Sequence, residues 1–376
     1  MRECYAYLSQ WMEKLGMHVE IDAAGNLRGT YKGQHSNEKR ILIGSHLDTV
    51  PNAGAYDGVL GVVIAISLIE SLRGKRLPFA IEVIGFSEEE GVRFGLPFIG
   101  SRALMGALDE QTLRITDKSG VSVAQAIRGF GLDASGLHQP QLVSDTRAYL
   151  EFHIEQGPVL ESVGAHLAVV DSIAGQSRAY VTFRGGANHA GTTPMHLRRD
   201  ALCGAAEWTL SVERHARATN GLVATVGTIE AKPGATNVVA GEVRASLDVR
   251  HPVDSIRSAA FSTLLHEGCE IAQQRGLAFQ SDVLLDQNAV PMHTELTNLA
   301  EEAIQAVGVV PYRFASGAGH DAMILAPKLP SAMIFLRSPG GVSHHPDESV
   351  EEEDVILALR AGSHLLHSLS TCSFLT

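Results

Sequence analysis

Ile41-Leu42-Ile43-Gly44-Ser45-His46-Leu47-Asp48 is a short apolar run that stops on a histidine and an aspartate. Without polar alternation, such a run fits a strand buried on both faces of a parallel sheet. Just beyond it, residues 58–72 are apolar almost all round, as a helix enclosed in a core would be. Residues 79–86 read as a second strand, ending at Glu88-Glu89-Glu90, and residues 148–152 as a third, ending at His153. Strands alternating with helices predict an α/β sheet covered on both faces. Ligands of open α/β sheets bind at the carboxyl ends of the strands, so polar groups at three such ends are expected to converge on one crevice.

From about residue 176 the pattern changes. Strands are expected over 179–183, 222–230, 243–250 and 279–285, with helices over 200–218 and 254–275. That β-α-β-β-α-β order is the split arrangement of a ferredoxin-like α+β domain. The α/β pattern then resumes with a helix over 295–307, a strand over 332–336 and a helix over 355–369. The expectation is a discontinuous first domain, residues 1–175 and 293–376, interrupted by an inserted domain, 176–292. The two crossings are candidate hinges.

Composition narrows the function. With 376 residues, 45% hydrophobic and 19% charged, the chain can bury a large core and has length for two domains. A net charge of -12 without a Lys/Arg block argues against nucleic acid or an anionic membrane as partner. Cys4, Cys203, Cys269 and Cys372 are scattered, with no C-x-x-C pair, so neither a disulfide framework nor a thiolate metal site is expected. The longest apolar run, within residues 60–69, is far short of the roughly 20 residues that span a bilayer. Glu3 and Glu13 fall where an export signal needs an apolar centre. A cytoplasmic location is expected.

Each candidate group has a functional and a plainer reading. Asp48 projects to the same side as His46 and can hold the far nitrogen of a metal-bound imidazole, or the two form a surface pair at a turn. Asp57 lies before a helix and is either an N-cap or a carboxylate able to span two cations. Three adjacent glutamates usually form a solvated turn. After a buried strand, metal charge would compensate them, one ligating while a neighbour serves as general base; spacing alone does not assign the jobs. His153 is a core histidine or a ligand. His344 and His345 occupy a glycine-rich loop, 340–346, suited to delivering a side chain. Together these groups form a mixed N/O set that suits zinc, manganese or cobalt, pointing to a metal-dependent hydrolase. In the insert, His189 is an oxyanion donor or an exposed loop residue. Asn237 and Arg250 flank a hairpin and either grip a carboxylate or, for Arg250, form a rim ion pair. His320, in Gly317-Ala318-Gly319-His320-Asp321, precedes a helix that presents backbone donors to an anion, or lies in a tight turn.

The segments GSHLDTVPNAGAYDG (44–58), FSEEEGVRF (86–94), FHIEQGPVLES (152–162), GGANHAGTTPMHLRRD (185–200), SGAGHDA (316–322) and GGVSHHPDE (340–348) are collinear. They resemble the hydantoinase/carbamoylase branch of the dinuclear metallopeptidase-like amidohydrolases, and within it the allantoate amidohydrolases most. The resemblance implies a mixed-sheet α/β/α catalytic domain with an inserted ferredoxin-like lid and dimerisation domain. It implies two divalent ions per subunit, manganese or zinc, held by His46, Asp57 as bridge, Glu90, His153 and His344. Glu89 would be the general base and Asp48 would orient His46, leaving Glu88 without a role. His189 would reach the partner's site in a homodimer and stabilise the tetrahedral intermediate. Asn237 and Arg250 would hold the substrate carboxylate, with Gln156 and His320 against the rest of a small ureido substrate. The implied reaction is hydrolysis of a ureido C–N bond, allantoate giving ureidoglycine, ammonia and carbon dioxide. N-carbamoyl-L-amino acid hydrolase and β-ureidopropionase share these segments, and an aminoacylase or dipeptidase is the more distant alternative. Relatives of this kind also carry a longer helical region before Trp11-Met12 than this chain does.

Overall fold

The computed structural model describes residues 1–35 and 39–371; Cys372 lies outside them. The chain divides into two compact units, one of residues 1–171 with the chain from 291 on, the other of residues 172–290.

The first unit opens with α1 (Arg2–Lys14) and the hairpin β1 (His18–Ile21) and β2 (Leu27–Tyr31). Then follow β3 (Arg40–His46), α2 (Val59–Ser71), β4 (Ala80–Phe86), and the short helices α3 (Ile99–Leu104), α4 (Glu110–Arg114) and α5 (Val123–Phe130). β5 (Thr146–Ile154), α6 (Val159–Val163) and β6 (Leu167–Ile173) lead to the second unit. That unit contains β7 (Gly175–Arg184), α7 (Ala201–Ala218), β8 (Val223–Thr225), β9 (Ile229–Lys232), β10 (Glu242–His251), α8 (Asp254–Gln274) and β11 (Ala278–Gln287). After β12 (Val290–Pro291) the first unit is completed by α9 (Thr294–Ala306), β13 (Tyr312–Ser316), α10 (Ala322–Leu325), β14 (Ser331–Leu336) and α11 (Glu352–Thr371).

Among the described residues the first sheet has nine strands in the order β1-β2-β4-β3-β5-β14-β6-β12, with β13 on β6. β4, β3, β5 and β14 run parallel while β2 and β6 pair antiparallel, so the sheet is mixed. β4 is buried along its whole length and β3 from its second residue on, as uninterrupted apolar strands require. One face carries α2, α9 and α11, whose Ile64, Leu68, Leu296, Ile304, Leu365 and Leu366 pack on Ile41, Ile43, Val83, Leu150 and Ile334. A smaller apolar cluster gathers Phe94, Ile99, Ala103, Val123, Ile127 and Leu137 around α3 and α5. β3 lies between β4 and β5, so the strand order reverses there, and a crevice is expected at its carboxyl end.

The second unit is an antiparallel sheet in the order β11-β7-β10-β8, with β9 also on β10. This is the strand order of the split β-α-β-β-α-β arrangement. α7 and α8 close one face over Val181, Phe183, Trp208, Val243, Leu247 and Leu264. The stretch expected as one strand over 222–230 is two, because the amides of Gly227 and Thr228 turn aside to donate to Ser246 Oγ. Cys4, Cys203 and Cys269 are free thiols. Among the described residues no helix is long and apolar enough to cross a membrane.

Candidate metal centre

Three strand ends deliver the first ligands. β3 stops at His46, β4 at Phe86 just before the glutamates, and His153 is the penultimate residue of β5. Both buried histidines have a fixed tautomer. His46 Nδ1 lies 2.9 Å from the Asp48 carbonyl and His153 Nδ1 2.8 Å from the Ile154 carbonyl. A carbonyl only accepts, so each Nδ1 carries a hydrogen and each Nε2 is the ligating atom.

Those two Nε2 atoms face each other at 3.4 Å, and Asp57 Oδ1 lies 3.5 Å from His46 and 3.2 Å from His153. His344 Nε2 stands 3.0 Å from Asp57 Oδ2 and 3.4 Å from Glu90 Oε1. Ligand atoms of His46, Asp57 and His153, of His46, Glu89 and Glu90, and of Asp57, Glu90 and His344 fall within 4.8 Å of one another in three groups. Asp57 is common to two of them, one oxygen toward each. Asp57 Oδ1 and Glu90 Oε1 are buried with no hydrogen-bond donor among the described residues. Facing nitrogen lone pairs and orphaned carboxylate oxygens repel unless positive charge lies between them, so the donor set fits divalent cations.

The electrostatics agree. Burial raises the pKa of Asp57, but the imidazoles of His153 and His46 beside it outweigh that and hold the carboxyl far below the usual range. Burial pulls His46 down, yet Glu89, Asp57 and Asp48 hold it well above the ordinary imidazole value. Glu89 is only 7% exposed, and burial pushes its carboxyl well up, with Asp321 and Glu90 adding to the rise and His46 opposing it. Glu90 is raised by burial too.

Close approach depends on Gly58, at φ +69°. A Cβ there would lie 2.4 Å from His46 ring atoms, so only glycine lets the Asp57 loop reach the imidazole. Glu348, not singled out in the sequence, fixes the same loop. Its Oε1 accepts the amides of Tyr56 and Asp57, each at 3.0 Å, and its Oε2 accepts from Ser343 Oγ at 3.1 Å, tying the Asp57 and His344 loops together. An acidic residue four positions after His344 was the available signal.

Several expectations need correction. The Asp48 carboxylate is 3.8 Å from His46 Nδ1, whose hydrogen goes to the main-chain carbonyl. The two carboxylate oxygens accept the amides of Glu89 and Glu90, at 3.0 and 3.1 Å, because that turn leaves both donors unpaired beside it. Asp48 therefore orients His46 through its backbone and the glutamate turn through its side chain. His320, expected against substrate, is 1% exposed. Its ring stands edge-on to His153 with centroids 4.5 Å apart, and Nε2 is 2.9 Å from Ser316 Oγ, so it forms the wall behind a ligand. Burial lowers its pKa, keeping it neutral. Gln156 does reach the centre, its Nε2 donating to Asp57 Oδ2 at 2.9 Å. Glu88 turns away at φ +53° and lines a cavity with Tyr5, Phe94, Ile127 and Phe130.

In the second unit His189 is exposed, Nδ1 accepting the Gly191 amide at 3.1 Å, so Nε2 carries the hydrogen. Its strand bridge to Val238 and the bond from the Ala190 amide to the Asn237 carbonyl zip His189 and Asn237 into one pair of loops. Arg250 is elsewhere. Asn237 precedes β10 and Arg250 is its penultimate residue, so the strand from Glu242 to Arg250 alone separates them by about 27 Å. One chain cannot clamp one small carboxylate with both. Arg250 is also engaged by Asp248, Nε to Oδ1 at 2.8 Å and a terminal nitrogen to Oδ2 at 3.1 Å.

Comparison with known proteins identifies the family. Residues 42–368 match the model of peptidase family M20/M25/M40. An N-carbamoyl-L-amino acid amidohydrolase of Geobacillus stearothermophilus is 37% identical over 96% of this chain and 90% of its own length. An allantoate deiminase of Arabidopsis thaliana is 39% identical over 92% of this chain and 72% of its own. The crystal structure of a hydantoinase/carbamoylase family amidase from Burkholderia multivorans superimposes with a TM-score of 0.91 at 30% identity, covering 98% of this chain and 89% of the other. The chain belongs to peptidase family M20/M25/M40.

Proposed function

We propose that this protein is a metal-dependent amidohydrolase that cleaves the C–N bond of a small ureido carboxylate, allantoate first. N-carbamoyl-L-amino acids are the second reading, since relatives named for each substrate match at similar identity. One observation carries the proposal: donor atoms of His46, Asp57, Glu90, His153 and His344 gather within reach of one another, beside a buried glutamate, Glu89. Two divalent ions, manganese or zinc, would be held by those five residues, with Asp57 between them, and would supply Lewis acidity toward the ureido carbonyl and the attacking water.

Glu89 takes the proton of the water that adds to the ureido carbon and returns it to the departing nitrogen as the C–N bond breaks. Its raised pKa suits a group that must both accept and release a proton. Asp48 fixes the turn on which Glu89 rides. His189 Nε2–H donates to the oxygen that gains charge in the tetrahedral intermediate. Asn237 accompanies His189, and Arg250, released from Asp248, takes the carboxylate.

A small substrate can meet both ends of β10 only if two copies contribute, which favours a homodimer joined through the second unit. β11 supports this reading. It is an edge strand exposing Val283 and Leu284, a surface that proteins ordinarily cover. The metal-reconstituted protein should be assayed side by side on allantoate, N-carbamoyl-L-amino acids and N-acetyl-amino acids. Preference for allantoate is expected, and preference for the N-acetyl compounds overturns the ureido assignment.

A further inference from the structure

Glu151 is a buried carboxylate to which neither the sequence nor the mechanism gives work. It is 1% exposed, on a strand that also buries Ala148, Leu150 and Phe152. A carboxylate so placed costs free energy relative to an apolar residue of the same size, unless it fixes something the fold does not fix otherwise.

What is left unfixed is the end of β3. Its ladder with β5 stops at Ile43 opposite Leu150, while the ladder with β4 continues to His46 opposite Phe86. Gly44, Ser45 and His46 thus have no main-chain pairing with β5. Side chains replace it. Tyr149, Glu151 and His153 are two residues apart and project from one face of β5. The Tyr149 hydroxyl donates to the Gly44 carbonyl at 3.0 Å, Ser45 Oγ donates to Glu151 Oε1 at 2.8 Å, and His153 Nε2 faces His46 Nε2 at 3.4 Å. The second Glu151 oxygen accepts the Ala322 amide at 3.0 Å, which anchors the turn carrying His320, the ring behind His153.

We propose that Glu151 is a positioning residue of the metal centre, tying the β3 end that carries His46 and the turn that carries His320 to β5, two residues before His153. The inference rests on the reading of this centre as a cation site. An apolar side chain would fill the space but hold neither the Ser45 hydroxyl nor the Ala322 amide, leaving both buried donors unpaired and His46 free to shift against Asp57 and His153. Glutamine is different: its oxygen can accept the Ala322 amide while its nitrogen donates to Ser45 Oγ.

The test is zinc titration into the chelator-stripped protein by calorimetry, with circular dichroism as the check of folding. Glu151→Ala is expected to weaken zinc binding by about 10–100-fold, as loss of a group that orients ligands does, and Glu151→Gln to stay within roughly threefold of the parent. Ser45→Ala removes one hydroxyl from the same chain of contacts and keeps the test alive if Glu151→Ala does not fold; it should weaken zinc several-fold. Folded Glu151→Ala or Ser45→Ala protein that binds zinc as the parent does overturns the positioning role while leaving the cation site standing. Parent protein that binds no zinc overturns the cation site and this role with it.

Discussion

Two inactive variants should restore activity when mixed. His189 and Asn237 are zipped together before β10, and Arg250 lies about 27 Å along that strand, so a single copy cannot bring both ends to one small substrate. If each site takes one end from its own chain and the other from the partner, His189→Ala and Arg250→Ala homodimers are each defective at both sites. In a mixed dimer one site receives both defects and the other receives none. This holds whichever end the partner supplies. Random reassociation of equal amounts makes about half the dimers mixed, each with one intact site of two, so turnover should recover to about a quarter of the parent's. The assay is ammonia release from allantoate after co-expression with two different affinity tags, the doubly tagged fraction being purified to confirm mixing. Doubly tagged dimers with no more activity than the two homodimers would refute the division of the site between copies.

Three further outcomes follow from the centre itself. Glu89→Gln should lower turnover by about 10²–10⁴-fold, the usual worth of a positioned base, with zinc stoichiometry unchanged by elemental analysis; near-parental turnover excludes Glu89 as the base. In Asp48→Asn the amide nitrogen cannot accept one of the two backbone N–H groups now held at 3.0 and 3.1 Å, losing a charge-assisted bond of about 1.5–3 kcal/mol. If that loss falls on the base's position it lowers kcat by roughly 10–100-fold, and parental kcat removes Asp48 from the mechanism. Removing metal should lower the melting temperature, because a cation at 100 times its Kd stabilises the folded state by about 2.7 kcal/mol; equal melting curves with and without chelator contradict the cation site.

Much of this was legible in the sequence because the ligands follow strands whose apolar runs are unmistakable. Ile41 to Ile43 announced β3, and the glutamates and His153 stood at the ends of two more such runs. The hairpin β1–β2 and strand β13 were not read, being short and mixed in polarity, and β6 was missed although it opens on the apolar run Leu167 to Val170. α3 to α5 escaped as well, α3 beginning after Phe98 in a left-handed conformation that no propensity announces. Within the site, residue identity was readable but the acting atom was not. Whether Asp48 holds His46 by carboxylate or carbonyl depends on where the amides of Glu89 and Glu90 point, and that is decided by a turn between distant segments. That Asn237 and Arg250 lie at opposite ends of β10 within one chain was not legible for a similar reason. Nearness in sequence across a strand of ten residues is separation in space.

The same crowding of carboxylates predicts how metal enters. In protein stripped by chelation, Glu89, Asp57 and Asp48 raise the pKa of His46 above the ordinary imidazole value, and burial raises those of Glu89 and Glu90. A ligating imidazole must be neutral and a ligating carboxylate ionised, so cations have to displace their protons. Each raised pKa widens the pH range in which a proton must leave before a cation can bind, so affinity should rise with pH. Zinc titrated calorimetrically at pH 7 in buffers of different ionisation enthalpy should give apparent enthalpies that vary linearly with the buffer, the slope reporting protons released. A slope reporting net proton release is expected, with His46 as a source. A slope of zero would mean that His46 is already neutral at pH 7, and that the carboxylates around it do not impose the field described above.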